Sequence, residues 1–215
     1  MIIAKSRTRF LMLILSLILF IVISILTYRH QGFLHTLSQI DHSIARAVVP
    51  TWLENIMKPA YIFSHGLLAG LLIFVIAFFL WGFKFKIPAT WLLLTSLSGW
   101  LLINVLSLFF NLEVNGTKIV YPAHTTFFMT LLISYVLLII IPEIQHNFLQ
   151  FVCQTLLLLS WIGTFMMTLL APNSNIASAI AGWFLAIAWL QFSENVYRIY
   201  AADLYRRKGF SNSWY

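Results

Sequence analysis

From Phe10 to Leu26 the chain runs without a charged side chain, and it does so again through residues 61–83, 90–110, 125–141 and 148–170. A helix rises about 1.5 Å per residue, so about 20 apolar residues cross the roughly 30 Å of a bilayer's hydrocarbon, and each stretch is near that length. A sixth stretch, 176–197, meets its first charge, Glu194, only near its end. Hydrocarbon offers no partner to backbone N–H and C=O groups, and a helix satisfies them internally, so the pattern predicts membrane-crossing helices. Composition agrees: 61% of side chains are hydrophobic and 9% charged, with a mean hydropathy of +0.91, against roughly 25% charged in soluble domains. Six spans leave too little of 215 residues for a separate soluble domain. The expectation is one membrane domain over 1–215, an all-α bundle of six transmembrane helices at about 10–27, 61–83, 90–110, 125–141, 148–170 and 176–197.

Lys5, Arg7 and Arg9 ahead of the first stretch look like the start of a signal peptide. The apolar run is longer than the usual 7–15 or so residues and ends in Tyr28-Arg29-His30-Gln31 rather than a small-residue cleavage site, so it is read as a retained helix. Thirteen basic against six acidic residues give a net charge of +7. In so apolar a chain that excess implies cytoplasmic anchoring and anionic lipid, and no nucleic-acid partner. With the N-terminus inside, one face receives nine basic residues (Lys5, Arg7, Arg9, Lys84, Lys86, Arg198, Arg206, Arg207, Lys208) and the other four (Arg29, Arg46, Lys58, Lys118). The expectation is both termini cytoplasmic, in a bacterial plasma membrane. The single Cys153 excludes an intrachain disulfide, no metal-ligand spacing occurs, and no cofactor is implied.

Between the first two spans, Leu34, Leu37, Ile40, Ile44, Val48, Trp52, Leu53 and Ile56 recur at three- and four-residue spacing among polar residues. That predicts an amphipathic surface helix over about 34–56, broken at Pro50. Trp52, Trp81, Trp91, Trp183 and Trp189, with Tyr61 and Tyr197, fall near span ends, as interfacial anchors do. Gly66 and Gly70 have the spacing that permits close helix approach. Glu194 and Arg198, four residues apart, are placed to pair along one helix.

A bilayer makes uncapped polar groups costly, which turns attention to two histidines. His65 lies in Phe63-Ser64-His65-Gly66, near one end of the second span. His124 lies where a proline-containing loop, Lys118-Ile119-Val120-Tyr121-Pro122-Ala123, enters a helix at Thr125. A helix N-terminus with unsatisfied N–H groups favours an anion such as phosphate. A solvated histidine beside a capping loop fits the same residues.

These segments together resemble a known family. Ile40-Asp41-His42-Ser43-Ile44-Ala45, Ile62-Phe63-Ser64-His65-Gly66 and the run 91–104 are similar to stretches of the type 2 phosphatidic-acid phosphatase superfamily. Two pieces are more specific. Tyr121-Pro122-Ala123-His124-Thr125-Thr126 resembles that family's Phe-Pro-Ser-Gly-His-Thr motif with one residue deleted, and Ser178-Ala179-Ile180-Ala181-Gly182-Trp183 resembles its Asp-Val-Leu-Ala-Gly-Trp. The resemblance implies a six-helix bundle that handles lipid phosphates or isoprenoid pyrophosphates at the outer membrane face. In active members a third-motif histidine attacks phosphorus, an aspartate orients it, a second-motif histidine protonates the leaving oxygen, and Lys and Arg hold the phosphoryl oxygens.

Carried over residue by residue, most of that set is missing. Ser178 stands at the aspartate's place, Ser174 at the nucleophile's, Thr168 at the arginine's, and the first-motif lysine falls near Ser107. Only His124 matches. Loss of a nucleophile and its partner removes on the order of 10⁴ to 10⁶ in rate. The expectation is therefore a non-catalytic protein that binds a membrane lipid, a lipid phosphate or isoprenoid carrier, or a membrane protein partner. His124 would be the remnant of the catalytic set, and Lys118, Tyr121, Thr125, Ser174 and Ser178 would line the site. One alternative is a divergent lipid phosphatase or phosphotransferase built on His124. Another is a lipid transporter component, against which the lack of charges within the spans counts.

Overall fold

A computed structural model describes residues 7–29, 49–110, 112–114, 117–207, 209–210 and 213. Its elements in chain order are α1 (Arg7–Arg29), α2 (Thr51–Phe63), α3 (Gly66–Gly82), α4 (Lys86–Phe109), β1 (Leu112–Val114), β2 (Thr117–Ile119), α5 (His124–Tyr135), α6 (Asn147–Leu170) and α7 (Ile176–Tyr205). A π turn at Val136–Ile140 and a 3-10 turn at Ile141–Glu143 prolong α5. Five helices (α1, α4, prolonged α5, α6 and α7) are long and apolar enough to cross a membrane, and α2 with α3 makes a sixth only as a broken pair bent by 70°.

The expected second span is thus displaced. Residues 61–63 close α2, and the apolar helix that follows, α3, starts at Gly66. The cause is local: the Ser64 hydroxyl donates to the Tyr61 carbonyl at 2.6 Å, ending α2, and Gly66 takes φ +45°, a left-handed conformation that costs glycine little. Most of the expected surface helix, residues 34–48, lies outside the described residues. Its described part begins where the proline was expected to act, with Pro50 as the N-cap of α2. On α2, Glu54 and Lys58 pair at 3.3 Å. Its Met57 covers Gly163 of α6 so closely that a Cβ there would meet the methionine Cγ at 2.9 Å.

In the bundle α5 is central and α1 peripheral: 61% of the apolar window of α5 is buried, against 22% for α1. Lipid tails are as apolar as leucine, so helices associate through close packing and interhelical hydrogen bonds rather than through hydrophobic burial. Small residues supply the closeness. A Cβ on Gly182 of α7 would lie 2.4 Å from both the Ala123 carbonyl oxygen and Thr126 Oγ1. Gly66 and Gly70 behave otherwise. Among the described residues, nothing lies within 4 Å of a Cβ built on either.

Two further expectations are corrected. Trp91 and Tyr197 are not interfacial: both are buried, ring against ring at 5.2 Å, and the Trp91 Nε1 donates to the Ser193 carbonyl. Glu194 pairs not with Arg198 but with Arg9 of α1, at 2.7 Å, while Arg198 donates to Asn195. The helical class expected from the sequence holds. The loop between α4 and α5 carries a short antiparallel hairpin, with Leu112 opposite Ile119, Glu113 opposite Lys118 and Val114 opposite Thr117.

Candidate functional site

The two sequence pieces of highest specificity meet at the end of the bundle that holds the hairpin. Val120 N donates to the Asn173 carbonyl at 2.9 Å and Ala123 N to the Ser178 carbonyl at 3.0 Å, stitching the segment before α5 to the segment that opens α7. Gly182 completes the joint by letting α7 touch the Ala123 backbone.

Each expected site residue can be followed into this joint. Tyr121 is buried, and its hydroxyl meets Ser24 Oγ of α1 at 2.9 Å. Burial, only partly offset by hydrogen bonds with Ser24 and Thr27, holds its phenol above the ordinary range and therefore neutral. Thr125 is buried against Thr168 of α6, their hydroxyl oxygens 2.9 Å apart, and Thr168 in turn donates to the Thr164 carbonyl. Ser178 is committed to a reciprocal cap: Asn175 Oδ1 accepts from Ser178 N at 2.8 Å, and Ser178 Oγ accepts from Asn175 N at 3.0 Å. Tyr121, Thr125 and Ser178 thus hold the joint together. Ser174 is buried beside the cap, in the turn closed by its N–H on the Ala171 carbonyl. Lys118 is exposed on β2.

His124 is the first residue of α5 and is half-buried, and its Nε2 is shut from solvent with no hydrogen-bond partner. The Asn175 Nδ2 and Thr164 Oγ1 are likewise buried and unpartnered. Most buried polar atoms are paired, so each of these atoms is a position at which a polar group could be accommodated. His65, at the elbow between α2 and α3, lies within electrostatic range of His124. Its Nδ1 is 3.1 Å from the Tyr61 carbonyl oxygen and its ring stands edge-on to the Tyr61 ring. A carbonyl only accepts, so the proton of this contact is on Nδ1.

The chemistry open to this arrangement is polar and nearly uncharged. Thr168, Ser174 and Ser178, the residues at the resembled family's charged positions, supply hydroxyls alone. Among the described residues no three His, Cys, Asp or Glu side chains converge as a metal site. Sequence reasoning passed over the Asn175 cap, although Asn-x-x-Ser ahead of an apolar run was its signature. That His65 lies within electrostatic range of His124 had no sequence signal, since 59 positions separate them. Comparison of the chain with protein-family models, curated proteins and solved structures finds no match in any of the three.

Proposed function

We propose that this protein is a lipid-phosphatase-like membrane protein without catalysis, which holds the polar head of a lipid phosphate or isoprenoid carrier at the His124 end of its bundle. The observation that carries the reading is the unpartnered His124 Nε2 at the joint of the two family-like segments, with hydroxyls where charged catalytic groups would stand. A histidine can hydrogen-bond a phosphoryl oxygen. Without guanidinium clamps or a carboxylate-oriented nucleophile, charge that develops in phosphoryl transfer has little to stabilise it. On this reading the His124 end faces outward from the cytoplasm and both termini lie inside.

A second reading has one observation in its favour. His65, whose Nδ1 lies 3.1 Å from the Tyr61 carbonyl oxygen, stands within electrostatic range of His124, and a pair of histidines can share the roles of nucleophile and general acid. It would make the chain a divergent phosphotransferase that draws its nucleophile from the elbow rather than from the start of α7.

The test equilibrates the detergent-purified chain with radiolabelled phosphatidic acid or undecaprenyl phosphate, then recovers the bound lipid and chromatographs it. Non-catalytic binding predicts lipid recovered intact and retention lowered on the order of ten-fold by His124→Ala, the worth of one hydrogen bond to a charged group. Equal retention by the variant would overturn the site. Dephosphorylated lipid that disappears in His65→Ala would replace this reading with the second.

A further inference from the structure

At the opposite end of the bundle α4 and α7 diverge, leaving a groove of about 620 Å³. That is within the roughly 300–1,000 Å³ of small-ligand sites. Trp91, Trp189, Phe192 and Val196 give it apolar walls, while Asp203 and Arg207 stand at its mouth near the C-terminal end of α7.

Those two charges stand out. Asp203 lies in the last turn of α7, and Arg207 stands two residues past its end, beyond the Arg206 C-cap. Among the described residues, Asp203 and Arg207 pair neither with each other nor with another side chain. Both are exposed. The groove therefore ends in one free anion and one free cation, the first on the last turn of α7 and the second just beyond it.

We propose that the groove seats a phospholipid whose head carries both a phosphate and a primary ammonium, with one acyl chain between α4 and α7, the phosphate on Arg207 and the ammonium on Asp203. Charge complementarity selects this occupant. A glycerol-headed phospholipid offers only an anion and leaves Asp203 facing a like charge. A fatty acid serves Arg207 alone. A choline head carries the right charges, but its methylated nitrogen has no N–H to donate to the carboxylate.

The experiment is native mass spectrometry of the full chain in detergent, with equimolar phosphatidylethanolamine, phosphatidylglycerol and phosphatidylcholine of identical acyl chains. The expected result is one retained lipid, the ethanolamine form at about five-fold or more over each competitor. Arg207→Ala should lower total retention. Asp203→Asn should remove the preference for ethanolamine over glycerol heads, and Asp203→Lys should turn it toward glycerol. Ser98→Phe, which fills the groove, should reduce retention of all three. Both charged positions are exposed, and tryptophan-fluorescence melting verifies that each variant is folded. Equal retention of the three lipids by the unaltered chain, or a preference unmoved by Asp203→Asn and Asp203→Lys, would overturn the proposal.

Discussion

The two ends of this bundle solve the problem of polar groups among apolar helices in opposite ways. Where α1 begins and α7 runs toward its end, the buried carboxylate is answered by a charge: Glu194 of α7 meets Arg9 of α1 at 2.7 Å. At the His124 end, hydroxyls, amides and backbone groups answer one another, and the histidine nitrogen is left over. The first end is an anchored seam. The second is a joint held by neutral groups, with the His124 nitrogen unpartnered among the described residues.

The comparison can be broken most forcefully at Gly182. A valine there places its Cβ 2.4 Å from a backbone oxygen that cannot swing away. The expected loss is on the order of 3 kcal/mol, the upper range for overpacking, read as a lower unfolding midpoint in detergent by circular dichroism. The charged end gives the next effect, and it should be asymmetric. Arg9→Met strands a buried carboxylate and should cost about 2–3 kcal/mol. Glu194→Gln should cost about 1 kcal/mol, because the Arg9 side chain is 32% exposed and can reach solvent. Equal effects of the two, in the same unfolding measurement, would show that burial at this seam is not what matters.

The threonine pair sharpens the neutral end. Thr125→Val or Thr168→Val alone leaves the other hydroxyl of a 2.9 Å contact without its partner and should cost about 1 kcal/mol. The double variant should cost less than the sum of the singles, and strict additivity would mean that the contact contributes nothing. The smallest effect is expected at His124. Its Nε2 has no partner to lose, so His124→Ala should change stability by only about 0.5 kcal/mol. A loss as large as that of Arg9→Met would mark His124 as a structural residue rather than a ligand-facing one.

Much of this architecture was legible from hydropathy, because a bilayer enforces long apolar helices and periodicity reports them directly. Four of the spans begin or end within a few residues of the helices found at α1, α4, α5 and α6, and α7 continues to Tyr205, past the point where its apolar run ends. The break within the second span, at Ser64–Gly66, was not foreseen because it depends on a glycine's positive φ, and hydropathy does not register backbone handedness. Partner choice was equally hidden. Glu194 has Arg198 four residues away in sequence, yet α1 lies against α7 and brings Arg9 closer. At the candidate site the two family-like segments were visible as motifs. Their roles were not, since whether a serine lines a pocket or caps a helix depends on what reaches it.

The measurement that bears most directly on the central claim is phosphate release by the purified chain from phosphatidic acid, phosphatidylglycerol phosphate and undecaprenyl pyrophosphate, with His124→Ala and His65→Ala in parallel. A binding protein predicts release at the protein-free rate from all three lipids, identical in both variants. Turnover by the unaltered chain that either histidine substitution abolishes would contradict it and establish the His124 end as a working active site.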